Sequence, residues 1–132
     1  ASNQLKKLDK VIKIRNSNAK YFDKMLLSLS EFITLPERPK KYLETFALYM
    51  IIAKKRDKLL IYLNKNSIEA KIHYPIPLHL QKASKIFGYG KKVFPVAEFQ
   101  AKHLITLPIH QFINRDHIDY MVKHLKNFYL NK

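Results

Sequence analysis

Leu5, Leu8, Ile12, Arg15, Ala19, Phe22, Leu26 and Leu29 follow one another at alternating steps of three and four residues. That spacing is the period of one face of an α-helix, and neither a strand nor a loop sustains it. Lys6, Lys7, Lys10, Lys13, Lys20 and Lys24 fall between these positions and supply a solvated face. The pattern predicts a helix over residues 4–29, ~40 Å long at about 1.5 Å per residue. In a chain of 132 residues, the size of one domain, such an element is long. Two readings stay open. The helix packs within its own bundle, or it reaches beyond its core to a second domain or subunit.

The rest of the chain mixes both periods. Pro36 and Pro39 mark a loop over residues 34–41. Residues 44–52, rich in β-branched and aromatic side chains, predict a buried strand. Lys54-Lys55-Arg56-Asp57 opens a helix that runs through Leu59, Leu60 and Leu63 and fades at residues 64–66. Residues 68–73 alternate apolar with polar and predict a half-exposed strand. A short helix is expected over residues 80–87, stopped by Gly88-Tyr89-Gly90. Pro95, at a first-turn position, starts another helix through Val96, Phe99, Ala101 and Leu104. A short strand over residues 104–108 ends at Pro108. Asn114 is a good N-cap for a closing helix whose apolar face is Ile118, Met121, Val122, Leu125 and Phe128. The class is α+β, one domain over residues 1–132: a small β-sheet packed by helices, with one long N-terminal helix.

Composition limits function mainly by exclusion. Cysteine is absent, which removes disulfides, thiolate metal sites and a cysteine nucleophile. The longest apolar run, residues 46–53, is far short of the roughly 20 residues that span a bilayer. The N-terminal residues lack the pattern of a signal peptide, and the expectation is a soluble, cytoplasmic protein. Net charge is +15, but it divides as +9 over residues 1–66 and +6 over residues 67–132. Only four of the 25 basic residues are arginine, the side chain favoured for base readout and bidentate phosphate grips. The charge therefore reads first as a lysine-rich surface compatible with an anionic small substrate. A basic nucleic-acid-binding module, and a non-catalytic scaffold or remnant, are the alternatives.

Six histidines form no HExxH motif and no facial-triad spacing, so no metal site is expected. Gly88-Tyr89-Gly90 lacks the spacing of a phosphate loop. What stands out is Ile72-His73-Tyr74-Pro75-Ile76-Pro77-Leu78-His79, where two prolines stiffen a loop that displays a phenol and two imidazoles. A stiff loop at a strand end is suited to orienting a ligand, because little ordering entropy remains to be lost. A proline-rich turn with its aromatic packed down is the other reading.

Taken in order, the segments resemble a known family. The long helix carries Leu8, Ile12, Arg15, Asn18 and Tyr21, and a core strand around Tyr49 precedes a helix opened by Arg56-Asp57. His73-Tyr74-Pro75 with Leu78-His79, Phe94-Pro95-Val96-Ala97-Glu98 and Leu107-Pro108-Ile109-His110 follow. A closing helix contains Asp119-Tyr120-Met121-Val122 and ends at Phe128-Tyr129. This series resembles the C-terminal small domain of DegT/DnrJ/StrS-type sugar aminotransferases, enzymes of PLP fold type I. The resemblance implies a part in transferring an amino group, usually from glutamate, to a keto group of a nucleotide-linked sugar, as in polysaccharide biosynthesis. It implies that His73 and Tyr74 lie near the sugar-nucleotide site, with His79 as a weaker candidate. Residues 94–101 and 107–110 are taken as structural.

The family binds pyridoxal 5'-phosphate (PLP) through a lysine in a Ser-Phe-His-x-x-Lys-like context, and this chain lacks that motif. A Schiff-base lysine works because burial and neighbours depress its pKa, and solvated lysines do not substitute. The resemblance therefore implies PLP in the complete enzyme and none bound to this chain alone. It also implies a large domain, preceding Ala1 or carried by a separate polypeptide, and a homodimer. By itself the chain is not expected to transaminate.

Overall fold

The computed structural model describes residues 5–39 and 41–131. Helix α1 spans Leu8–Leu26 and tightens into a 3-10 turn at Leu27–Leu29. Strand β1 is Ile33–Thr34, β2 is Tyr49–Ala53, and α2 is Arg56–Lys65. Two 3-10 segments, Leu78–Leu80 and Lys82–Phe87, lead to α3 at Pro95–His103. Strand β3, Leu104–Leu107, follows without a break, and α4 at Arg115–Leu130 closes the chain. The sheet order is β1-β2-β3 with antiparallel neighbours, in a register that sets Ile33 against Ala53 and Tyr49 against Leu107. The α+β class with a small sheet and a long N-terminal helix is the one the sequence predicts.

Along β2, Tyr49, Ile51 and Ala53 are buried and Met50 is not. Period-two patterning thus puts one face of the sheet into the core. That core is completed by Phe22 and Leu26 of α1, Leu59 and Leu63 of α2, and Ile118, Val122 and Leu125 of α4. The rings of Phe22 and Tyr49 stack 4.7 Å apart at its centre.

The α1 residues that carried the family resemblance tie the helix to its surroundings. The Asn18 amide donates to the Ile113 carbonyl (2.7 Å), and the Tyr21 hydroxyl donates to Asp119 of α4 (2.7 Å). Arg15 donates to Gln111 at 3.1 Å. Asp23 accepts from Arg38 (2.6 Å) and from the Tyr49 hydroxyl (2.7 Å), pinning the β1–β2 connection to the core. The second half of α1 holds Ala19, Phe22 and Leu26 in the core, while Leu5 and Leu8, on the same stripe, remain 67% and 46% exposed. The expected start at residue 4 lies outside the described residues, as does Lys40 within the expected loop at 34–41.

Three expected elements differ. The strand anticipated over residues 44–52 begins only at Tyr49, because Phe46 adopts φ +47°, a left-handed conformation that interrupts extended pairing. Arg38 stacks over its ring at 4.8 Å. The strand anticipated over residues 68–73 contracts to one bridge, Lys71 against Thr106. Ile68 and Ala70 are buried as the alternation requires. However, the Ala70 N–H turns to the Ile68 carbonyl (2.7 Å), and the Ala70 carbonyl accepts from the Asn64 side chain (3.2 Å). Backbone groups that a ladder needs are thus taken up locally. The helix anticipated over residues 80–87 is two 3-10 segments, divided where Gln81 is extended (ψ 153°) and stopped by Gly88 at φ +70°.

Arg56, first residue of α2 and buried, donates from Nη1 to the carbonyls of Ala101 (3.1 Å) and Leu104 (2.9 Å). It satisfies acceptors at the end of α3 that the helix leaves without partners. In doing so it anchors the α3–β3 junction that walls the site described next.

Candidate functional site

The chain leaves the sheet just after the Lys71–Thr106 bridge, and the side chain of His73 keeps hold of it. His73 Nδ1 lies 3.1 Å from the hydroxyl of Thr106, which is itself buried. That contact fixes the imidazole against the sheet edge. Pro75 and Pro77 hold the following residues out of helical conformation, and Pro77 has ψ 147°. The backbone then curls into Leu78–Leu80, closed by the Leu80 N–H to the Pro77 carbonyl (2.9 Å). Ser84 adds a hydroxyl bond to the Leu78 carbonyl (2.6 Å).

These turns enclose one side of an open cavity of about 630 Å³. His73, Tyr74 and His79, singled out from the sequence, all line it. They do so differently. Tyr74 is 76% exposed, His73 is half-buried, and His79 is buried. The opposite wall comes from Phe87, Tyr89, Phe94, Ala97 and Ala101. Sequence reasoning took residues 94–101 as structural and did not single out Phe87 or Tyr89. Their apolar character was legible; their exposure beside the His-Tyr-Pro loop was not. The rings meet edge to face, Phe94 at 4.9 Å from His79 and 5.4 Å from Tyr89.

His79 Nε2 is 3.2 Å from Oε1 of Glu98, which also accepts the Lys92 N–H at 2.5 Å. Desolvation raises the pKa of the Glu98 carboxyl, but the bonds from His79 and the Lys92 N–H outweigh it and hold the group below its ordinary range. Glu98 therefore faces His79 as a carboxylate. In the segments that supply these walls, Lys82, Lys85, Lys91, Lys92 and Lys102 are exposed.

This arrangement can bind: an apolar, aromatic wall with an imidazole and a phenol beside it. The cavity lining contains no lysine, cysteine or acid. Among the described residues, no group of three His, Cys, Asp or Glu side chains could hold a metal ion. No helix there is long and apolar enough to cross a membrane.

The model of the DegT/DnrJ/EryC1/StrS aminotransferase family matches residues 1–126. A pleiotropic regulatory protein of Geobacillus stearothermophilus is 29% identical over 123 residues, 92% of this chain and 33% of that protein. The dTDP-3-amino-3,6-dideoxy-alpha-D-galactopyranose transaminase of Aneurinibacillus thermoaerophilus is 29% identical over 97 residues, 74% of this chain and 26% of the enzyme. The crystal structure of a DegT DnrJ EryC1 StrS aminotransferase from Brucella abortus superimposes with a TM-score of 0.87 at 26% identity. That match covers 97% of this chain and 34% of the other. The chain thus spans about a third of the length of the proteins it resembles.

Proposed function

Because this chain belongs to the DegT/DnrJ/EryC1/StrS aminotransferase family, we propose that it is the C-terminal small domain of a cytoplasmic, PLP-dependent nucleotide-sugar aminotransferase. The observation that carries the proposal is the family match along nearly the whole chain, set beside a coverage of only about a third of each relative. The catalytic remainder, on this reading, is a larger domain in the same or a separate polypeptide, and the working enzyme is a homodimer.

In this reading the cavity holds part of the sugar nucleotide. A planar base or sugar ring lies against the aromatic wall of Phe87, Tyr89 and Phe94, where stacking favours it. Tyr74, exposed at the mouth, and His73, held by Thr106, offer hydrogen bonds to sugar hydroxyls. His79 belongs to the same site. The exposed lysines of residues 82–102 attract the diphosphate from solution without needing a dedicated grip.

PLP, when bound, supplies the electron sink that lets an amino group move between carbon skeletons. The residues lining this cavity do not fit it, since none is a lysine to anchor the cofactor. PLP therefore belongs with the larger domain, and this chain's part is to bind and orient the sugar.

The test is to assay the 132-residue chain and the complete enzyme side by side. Each receives PLP, glutamate and a nucleotide-linked keto sugar. Amino-sugar product from the complete enzyme alone is expected. In that enzyme Tyr74→Phe and His73→Asn should raise KM for the sugar nucleotide. Turnover by the 132-residue chain alone, or no turnover of any nucleotide sugar by the complete enzyme, would overturn the proposal.

A further inference from the structure

One carboxylate oxygen joins three segments of the cavity wall. Oε1 of Glu98, in the first turn of α3, takes the Lys92 N–H at 2.5 Å and lies 3.2 Å from His79 Nε2. An ionised carboxylate only accepts, so His79 carries a proton on Nε2. The two side chains are 7% and 14% exposed. Residues 88–94 form neither helix nor strand. No packing presses on the backbone at Gly88 or Gly90, where an added Cβ would meet nothing within 4 Å. Lys92 is held at φ +69°, a conformation costly for a side-chain-bearing residue unless something enforces it. The bond to Glu98 does so.

Two other readings of the pair fit less well. A catalytic acid or base needs a free edge toward the ligand. Here Oε1 already serves two donors, and the Phe94 ring edge abuts the His79 ring at 4.9 Å. As core filling alone the pair would be a poor choice, because two apolar side chains of similar volume pack as well without desolvating a carboxylate. An apolar pair could not hold the Lys92 N–H, and so could not set the Tyr89 and Phe94 rings.

We propose that His79 and Glu98 are positioning residues that fix the aromatic wall of the substrate space, His79 acting through Glu98 and Phe94. This rests on the reading of the cavity as a sugar-nucleotide site. It gives His79 a different duty from His73 and Tyr74 in the same loop.

The test joins two measurements on the complete enzyme: amide hydrogen exchange at Lys92 and steady-state kinetics with the nucleotide-linked keto sugar. Glu98→Ala removes the shared acceptor. It should speed Lys92 exchange roughly tenfold and raise KM about tenfold, the loss expected for one charge-assisted hydrogen bond. The kcat should stay within about twofold, since nothing bonded to the reacting centre is lost. Glu98→Gln keeps an oxygen in the same place; it should retain most of the protection and most of the KM, which guards against a variant that merely misfolds. Unchanged exchange in Glu98→Ala would overturn the proposal. So would faster exchange with an unchanged KM, or a fall in kcat alone. If the wild-type enzyme turns over no nucleotide sugar, the functional reading fails, and Lys92 exchange by itself decides whether Glu98 holds the wall.

Discussion

The half of the molecule built from α1, the sheet and α4 buries a continuous apolar core and gives most of its buried polar groups partners. Tyr49 is fully buried with its hydroxyl on Asp23, and Asn18 is buried with its amide on Ile113. The segment from Tyr74 to Phe99 does the opposite. Ile76, Leu78, Ile86, Phe87, Val96 and Phe99 are all more than half exposed there. Scattered exposed apolar residues need no explanation, but a contiguous set beside a cavity marks a surface meant to be covered. The contrast separates two uses of the same residue types. In the first half they hold the fold, and in the second they await a ligand or the remainder of the enzyme.

The sharpest way to break this comparison is a matched pair of truncations. Phe22→Ala should destabilise the chain by about 3–5 kcal/mol, the usual cost of an emptied aromatic site. Phe87→Ala, at a residue 65% exposed, should change stability by less than about 0.5 kcal/mol while weakening nucleotide-sugar binding by the complete enzyme. Urea unfolding measures the first pair of values. Equal losses at the two positions would mean that the outer segment is a second core.

Arg56 tests whether the packed half extends as far as the cavity. Its partner Asp57 is 79% exposed, so that ion pair contributes little. The two carbonyls at the end of α3 carry the weight, and Arg56→Met should cost about 3 kcal/mol through bonds lost by a buried charged donor. Arg56→Lys should recover little of it, because an ammonium cannot reproduce the planar fork. Chemical denaturation of both variants decides the matter.

The two halves also differed in how much of them could be read from sequence. The period of α1, the Asn114 cap and the apolar face of α4 are local signals, and the structure carries each of them, down to the Asn114–His117 capping box. Strand positions were less legible, because pairing depends on what neighbours do with their backbone groups. Residues 68–73 alternate correctly, yet Ala70 bonds locally and only Lys71 pairs. Strand β1, two residues long, exists only because β2 lies beside it. At the site, His73, Tyr74 and His79 were visible because seven consecutive positions contain them all. Glu98, 19 residues beyond His79, was not, since nothing local marks a carboxylate that folds back onto a distant imidazole.

Alkaline pH probes the packed half through its tyrosines. Burial, and then the bond to Asp23, raise the Tyr49 pKa above its ordinary 10.0, and burial raises that of Tyr129. A folded-state pKa above the unfolded one contributes stability that is whole below pH 10 and declines as pH climbs past it. Each tyrosine kept protonated should steepen that decline by about 1.4 kcal/mol per pH unit. Tyr49→Phe and Tyr129→Phe should each flatten it in urea titrations run above pH 10. An unchanged slope in both variants would show that neither phenol is held protonated by its place in the fold.

The smallest effect concerns backbone strain. Lys55, directly before α2, and Lys92, in the outer segment, sit at φ +54° and +69°. A side-chain-bearing residue there costs about 1 kcal/mol relative to glycine, part of which glycine returns through a looser unfolded chain. Lys55 is clamped between β2 and the helix whose Arg56 is anchored, so the native state must accept the strain. Lys55→Gly should therefore stabilise by up to about 1 kcal/mol. Lys92 has only Glu98 to enforce its conformation, and Lys92→Gly should gain less. Thermal unfolding of the two variants gives the comparison directly. An equal gain would mean that the cavity wall is held as firmly as the core, and would strengthen the case that Glu98 alone can set it.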